Sequence, residues 1–247
     1  MTHADPLIFS SLWIAILVAI VIISGAIVQA GMGMGFGLTV APLLALIDPA
    51  LVPATTLYLG MFTAALGVIR EPHAIEWGEV KWGALGRLVG VFVGGVVLVG
   101  LTDLKTFSLV FGLVVGIAVL MTALGWQLAF TSLNLFSMSC VSGAMGIITS
   151  VGAPPMALLY SQRPPDTARP TMAAFFAIGC GLSILGLLIM GWSSWRDLAT
   201  ACLMVPGVLF GTFLARKFQT KFDKRYRGIL LTIAGIASLL LIIRGIS

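Results

Sequence analysis

QAGMGMGFGLTVAPLL, residues 29–44, sets four glycines at alternate positions, Gly31, Gly33, Gly35 and Gly37, between two apolar runs. A glycine inside a helix costs about 1 kcal/mol against alanine, and it opens the backbone angles that a tight turn needs. Upstream, Leu7 to Gln29 is an apolar run of the roughly 20 residues that a bilayer-spanning helix requires. Downstream, Leu38 to Ile47 is too short to cross and stops at Asp48-Pro49, a pair suited to start the next helix. Irregular backbone between apolar segments is tolerated at membrane depth only where protein buries it or where it lines a cavity. The stretch reads as a broken or re-entrant helix pair.

The rest of the chain supplies the membrane context. Of 247 residues, 59% are hydrophobic and 9% charged, with a mean hydropathy of +1.10. Soluble domains carry about 25% charged residues, so a soluble globular enzyme is excluded, and disorder is excluded by the same shortage of polar residues. The net charge of +5 sits in a few loops, where it marks topology and not a nucleic-acid partner. Cys140, Cys180 and Cys202 lie inside apolar runs without metal-ligand spacing and read as packing residues. The opening MTHADPLIF lacks the features of a cleaved signal peptide.

Further spans are read at Ala50–Ile69, Trp82–Leu101 and Thr106–Leu124. The order then repeats: Leu133–Thr149, the break SVGAPP, a short piece Met156–Tyr160, and spans at Thr171–Met190, Leu198–Leu214 and Gly228–Ile243. Ser24-Gly25-Ala26 matches Ser142-Gly143-Ala144 at an offset of 118, and Phe107–Gly116 lies over Tyr226–Gly235 at 119. Trp82 pairs with Trp195, and Gly94 with Gly207, at 113. The chain therefore reads as two repeats, 1–124 and 125–247, within one integral membrane domain. If each short piece returns toward the side it came from, the repeats are inverted. With the basic loop Arg216–Arg227 inside, that arrangement puts 11 of the 14 Lys and Arg inside, against nine for parallel halves. The expectation is an all-α polytopic membrane protein of two inverted repeats, each a broken or re-entrant helix pair followed by three transmembrane helices, with both termini outside. Arg87, five residues past Trp82, counts among the inside charges as a side chain snorkelling to the interface, with a substrate role as the alternative reading. Trp77 and Trp82 read as headgroup-level anchors.

All nine Asp and Glu residues, with His3 and His73, fall in loops or at helix ends. Intramembrane catalysis needs paired carboxylates, a nucleophile with its base, or a ligand cluster in the bilayer. None is present, so no catalytic residue, metal or cofactor is expected. Backbone chemistry remains. Gly31, Gly33, Gly35 and Gly37 let a ligand approach the main chain, and the helix N-terminus that follows favours an anion. Ser150, Gly152 and Ala153 hold the equivalent place in the second half. Gln29, Thr55, Thr56, Tyr58 and Thr171 are the polar side chains near the breaks, and Arg169 is placed to attract anions at the inner mouth. Interrupted segments at matching positions of inverted halves point to a transport site for a small anion. The same small residues also serve helix packing, which keeps open a membrane scaffold or assembly subunit, and an anion channel is a further alternative. The glycine face of Gly90, Gly94 and Gly95 fits packing within one chain or between copies in a homo-oligomer.

The motif at 29–44, PATT at 53–56, SGAMGIITSVGAPPMALLY at 142–160, ARPT at 168–171 and VPGVLFGTFLARKF at 205–218 together resemble the TauE/SafE sulfite exporter family. The second-half loop departs from the family pattern, its run of glycines thinned to SVGAPP. The resemblance implies a secondary transporter of the cell's inner membrane for a small sulfur-containing anion such as sulfite, a sulfonate or sulfoacetate. It implies a site near the bilayer midplane where the glycine-rich segments meet, with the lipid bilayer and the anion as partners.

Overall fold

The computed structural model describes residues 12–101, 103–218 and 224–247. The expected start of the first span at Leu7, the N-terminal stretch with His3, and part of the basic Arg216–Arg227 loop lie outside the described residues. Among the described residues ten α-helices follow one another: α1 Leu12–Met32, α2 Phe36–Ile47, α3 Ala54–Arg70, α4 Trp77–Val99, α5 Leu104–Leu124, α6 Ser132–Thr149, α7 Ala153–Tyr160, α8 Pro165–Ile189, α9 Trp195–Phe218 and α10 Lys224–Ile246. Seven are long and apolar enough to cross a membrane. The molecule is an all-α, multi-pass integral membrane protein.

Three helix starts differ from the sequence reading, each for a local reason. Asp48 does cap a helix, but a single 3-10 turn, Pro49–Leu51, by accepting from Ala50 N–H at 2.9 Å. The long helix α3 starts only after Pro53 and has 17 residues, which puts it at the lower limit of length for a span. α4 begins at Trp77, five residues before the apolar run, because Thr171 Oγ1 accepts the Glu76 N–H at 3.0 Å and Glu79 lies in the first turn, where its charge suits the helix dipole. α8 begins at Pro165, six residues before the span read from Thr171. Proline in a first turn removes an N–H that would be unpaired anyway.

Each short helix doubles back on the long one before it. Gly25 of α1 lies against Val40 and Phe36 of α2, and Gly35 against Val28. In the second hairpin Ser142 Oγ of α6 donates to Gly152 O at 2.6 Å, and Ser139 lies opposite Met156. Both pairs are antiparallel hairpins whose tips point into the protein. The far end of α7 is fastened to α4: Glu79 accepts from Tyr160 Oη at 2.8 Å and pairs with Arg163.

Glycine contacts set how the other helices cross. On α4, Gly86, Gly90 and Gly94 press on Phe136, Cys140 and Ala144 of α6, so these two helices run parallel and touch backbone to backbone. Gly207 and Gly211 of α9 meet Ile23 and Ala26 of α1 in the same sense. Gly67 and Gly60 of α3 meet Ala173 and Cys180 of α8 in antiparallel order, as Gly112 and Gly245 do between α5 and α10. Contacts also join α3 to α9, α8 to α4, α2 to α10 and α7 to α5. Trp77 and Trp195, 118 residues apart, open α4 and α9, and Gly90 and Gly94 stand 117 residues before Gly207 and Gly211.

The same contacts account for the α4 glycines. Gly90 and Gly94 pack on α6, and Gly95 on Met190, within the chain. The opposite face of α4 exposes Leu85, Leu88, Phe92 and Val96, and α9 exposes Leu203, Phe210 and Phe213, an apolar surface suited to lipid. Outside the spans, α5 opens on Asp103. The hydroxyl and amide of Thr106 donate to its carboxylate and hold it below the usual carboxylate range.

Candidate functional site

The two hairpin tips meet. Gly33 and Gly35 adopt φ of 73° and 104°, and Ser150 adopts 64°, a left-handed conformation uncommon for a residue with a side chain. Gly37 lies so close to Ser150 O that a Cβ there would overlap it. Ser150 Oγ donates to Pro53 O at 2.9 Å, which joins the second tip to the start of α3. Gln29 closes the first tip from within: its Oε1 accepts the Phe36 N–H at 3.1 Å, and its Nε2 donates to Gly33 O at 3.0 Å. The first amide of α2 is therefore taken by protein, and Gln29 acts on the turn it borders.

Between the tips lies a small cavity bordered by Gln29, Gly35, Gly37, Thr56, Ser150, Gly152, Ala153 and Arg87, with Phe36, Leu57, Phe176 and Cys180 among its apolar walls. Arg87 is the correction that matters most. It is 1% exposed and does not snorkel. Because α4 starts at Trp77, Arg87 is its eleventh residue of 23, about 15 Å from either end at 1.5 Å per residue. Its Nη1 donates to Ser142 Oγ at 2.9 Å, and its Nε is buried without a partner. The rings of Phe175 and Phe176 lie 5.3 and 5.4 Å from the guanidinium carbon. Gly146, Gly152 and Gly179 surround it where any Cβ would crowd the guanidinium.

No Asp or Glu among the described residues pairs with Arg87. A buried charge without a counter-charge costs several kcal/mol, and three glycines from three elements make room for this one.

A second cavity adjoins the first across Gln29. It is lined by Gln29, Gly33, Thr63, Arg70, Glu71, Arg169 and Thr212. Arg169 borders it with its backbone and Cγ pressed against Gly33.

Four of the residues singled out from sequence border neither cavity. Gly31 lies in the last turn of α1. Thr55 Oγ1 donates to Asp197 O at 3.5 Å, Thr171 Oγ1 accepts from Glu76, and Tyr58 Oη is 3.3 Å from Ser193 Oγ. These three tie α3 and α8 to the starts of α9 and α4. Sequence reasoning passed over Phe176 and Gly179 and read Cys180 as a packing residue only, whereas Phe176 and Cys180 border the first cavity and Gly179 lies against Arg87. The available signal for Arg87 was its distance from the true helix start.

No group of three or more His, Cys, Asp or Glu able to hold a metal occurs among the described residues. The chain matches the family model described as sulfite exporter TauE/SafE over residues 17–241. No curated protein and no solved structure matches it.

Proposed function

The chain belongs to the sulfite exporter TauE/SafE family, and we propose that it is a secondary transporter of a small sulfur-containing anion, such as sulfite, a sulfonate or sulfoacetate, held between the two hairpin tips. The observation that carries this reading is Arg87: a charge at the middle of a membrane-length helix, buried without a counter-charge, on the wall of a cavity. Gly35, Gly37, Thr56, Ser150, Gly152 and Ala153 border the same space, so an anion there meets backbone as well as the guanidinium. Arg169 and Arg70 border the adjoining cavity and serve as its electrostatic approach.

Two inverted halves, 1–124 and 125–247, complete the proposal. It is supported by the way helix contacts persist when α1–α5 are exchanged for α6–α10, and by the two hairpins. Rocking of one half against the other then exposes the site alternately. Both termini lie outside and the Arg216–Arg227 loop inside a cell's inner membrane. With Arg87 removed from the tally, that orientation still keeps ten Lys and Arg inside against three outside.

Counterflow in proteoliposomes tests transport. Liposomes loaded with unlabelled sulfite are expected to take up labelled sulfite transiently above equilibrium, and uptake is expected to saturate. Uptake that neither saturates nor responds to internal sulfite is the behaviour of a channel. Location is tested separately at Cys180, which lines the cavity and is 7% exposed. Ethanesulfonate at about ten times its dissociation constant is expected to slow N-ethylmaleimide labelling of Cys180 about tenfold. Labelling of Cys202, which is exposed, stays unchanged. Equal rates at Cys180 with and without the anion would move the site elsewhere.

A further inference from the structure

We infer that the site selects anions by charge number and takes a sulfo group bearing one negative charge, a reading that rests on the anion site proposed above. The cavity has little to offer an anion beyond one guanidinium. Arg87 contributes one positive charge, and its Nε has no protein partner. The polar side chains beside it are already committed. Thr56 Oγ1 donates to Leu51 O at 3.1 Å, Ser150 Oγ to Pro53 O, and Ser142 Oγ to Gly152 O. The Gln29 amide is bound to the first hairpin tip through its Oε1 and one Nε2 proton, and its second Nε2 proton is a neutral donor that brings no charge. Each of these hydroxyl protons points at a carbonyl, so the hydroxyls have lone pairs left to offer and no proton, which is the wrong polarity for an anion.

The other cations near the path are elsewhere. Arg70 and Arg169 border the second cavity, beyond Gln29, and Lys81 is exposed at the start of α4. The amides at the first turn of α2 add dipoles and partial charge, not a second full charge. The remaining walls, Phe36, Leu57 and Phe176, are apolar.

The charge balance follows. Empty, the cavity holds one uncompensated positive charge. One bound negative charge brings it to zero, which removes the cost of burying the guanidinium. A second negative charge takes it to minus one among apolar walls, which restores an uncompensated buried charge of the opposite sign. Specificity here is built from a penalty on the wrong ligand as much as from attraction to the right one. Hydrogen sulfite and a simple organosulfonate both carry the required single charge, whereas a disulfonate does not and neither does sulfoacetate, whose carboxylate adds a second charge, which narrows the substrate class to the first two.

The test compares ethanesulfonate with ethane-1,2-disulfonate, which differ by one sulfo group on the same carbon chain, by calorimetric titration of the purified full chain at matched ionic strength. Ethanesulfonate is expected to bind at least about tenfold more tightly, with the order kept in Arg87→Lys. A further pair of titrations, hydrogen sulfite against methanesulfonate, tells an inorganic from an organic preference. Equal or tighter binding of the disulfonate overturns selection by single charge and leaves the anion site standing. Failure of all four anions to bind overturns the anion site itself, and this inference with it. Protection of Cys180 from N-ethylmaleimide by ethanesulfonate and not by the disulfonate is the matching result expected from a route that needs no variant.

Discussion

Arg87→Met is expected to abolish anion binding while raising the melting temperature of the empty protein. The two effects have one origin. In the wild type a full positive charge is buried with a single hydrogen bond, to Ser142, and an unpartnered Nε. Replacing buried charges with apolar side chains of similar volume is neutral or stabilising by about 1–4 kcal/mol, and methionine follows the length of the arginine stem. Removing one partner of a buried charged contact costs the complex about 2–5 kcal/mol, which places the loss of affinity at about thirtyfold or more. Calorimetric titration with ethanesulfonate and a thermal melt on the same preparation check both halves. Arg87→Lys is the intermediate case: it keeps the charge and loses the planar fork, so affinity falls by about tenfold. An arginine that merely supports the fold gives the opposite signature, with stability lost on substitution. That result in Arg87→Met would assign Arg87 to architecture.

Sequence favoured a snorkelling Arg87 over a buried one for a physical reason. Hydropathy finds the apolar body of a helix, and on that basis the fourth helix starts at Trp82, which puts Arg87 near an interface. The real first turn runs through Trp77, Glu79 and Lys81, residues that a hydropathy window rejects and a helix N-terminus accepts. Five residues of error is about 8 Å along the axis, enough to move a charge from headgroup level toward the middle of the helix. The hairpin glycines were legible because their signal is local: alternate glycines between apolar runs imply a turn whatever surrounds them. The cradle of Gly146, Gly152 and Gly179 was not, since these residues lie on or beside α6, α7 and α8 and converge on Arg87 only through packing. Thr55, Tyr58 and Thr171 illustrate the converse. A polar side chain near the start of a membrane helix has the same spacing whether it faces a cavity or fastens the next helix, and here all three reach toward the starts of α4 and α9 or the loop before α9.

Gly37→Ala is expected to be the most damaging of the glycine substitutions at the tips. The added Cβ overlaps Ser150 O, a backbone atom of the opposite hairpin with no flexible side chain to yield. Overpacking of this kind costs about 1–3 kcal/mol, and the available relief is separation of the two tips. Ser150 is held by its own hydrogen bond to Pro53, so separation also disturbs the start of α3. Gly35→Ala differs in kind: its nearest neighbour is the flexible end of Val28 at 3.0 Å, and its cost comes from a φ of 104°, about 1–2 kcal/mol for a residue with a Cβ. Gly78→Ala provides the control, since nothing lies within 4 Å of its Cβ position in the first turn of α4. It is expected to stabilise by up to about 1 kcal/mol and to transport normally. The decisive comparison is between stability and affinity in Gly37→Ala. Glycines that serve packing alone predict a lower melting temperature with unchanged ethanesulfonate affinity in the fraction that remains folded. Tips that enclose the anion predict that affinity falls as well, by about tenfold or more, because prying the tips apart moves Gly35, Gly37, Ser150 and Gly152 away from Arg87 together. Unchanged affinity in the folded fraction would separate the hairpin contact from the binding site and leave Arg87 to hold the anion without it.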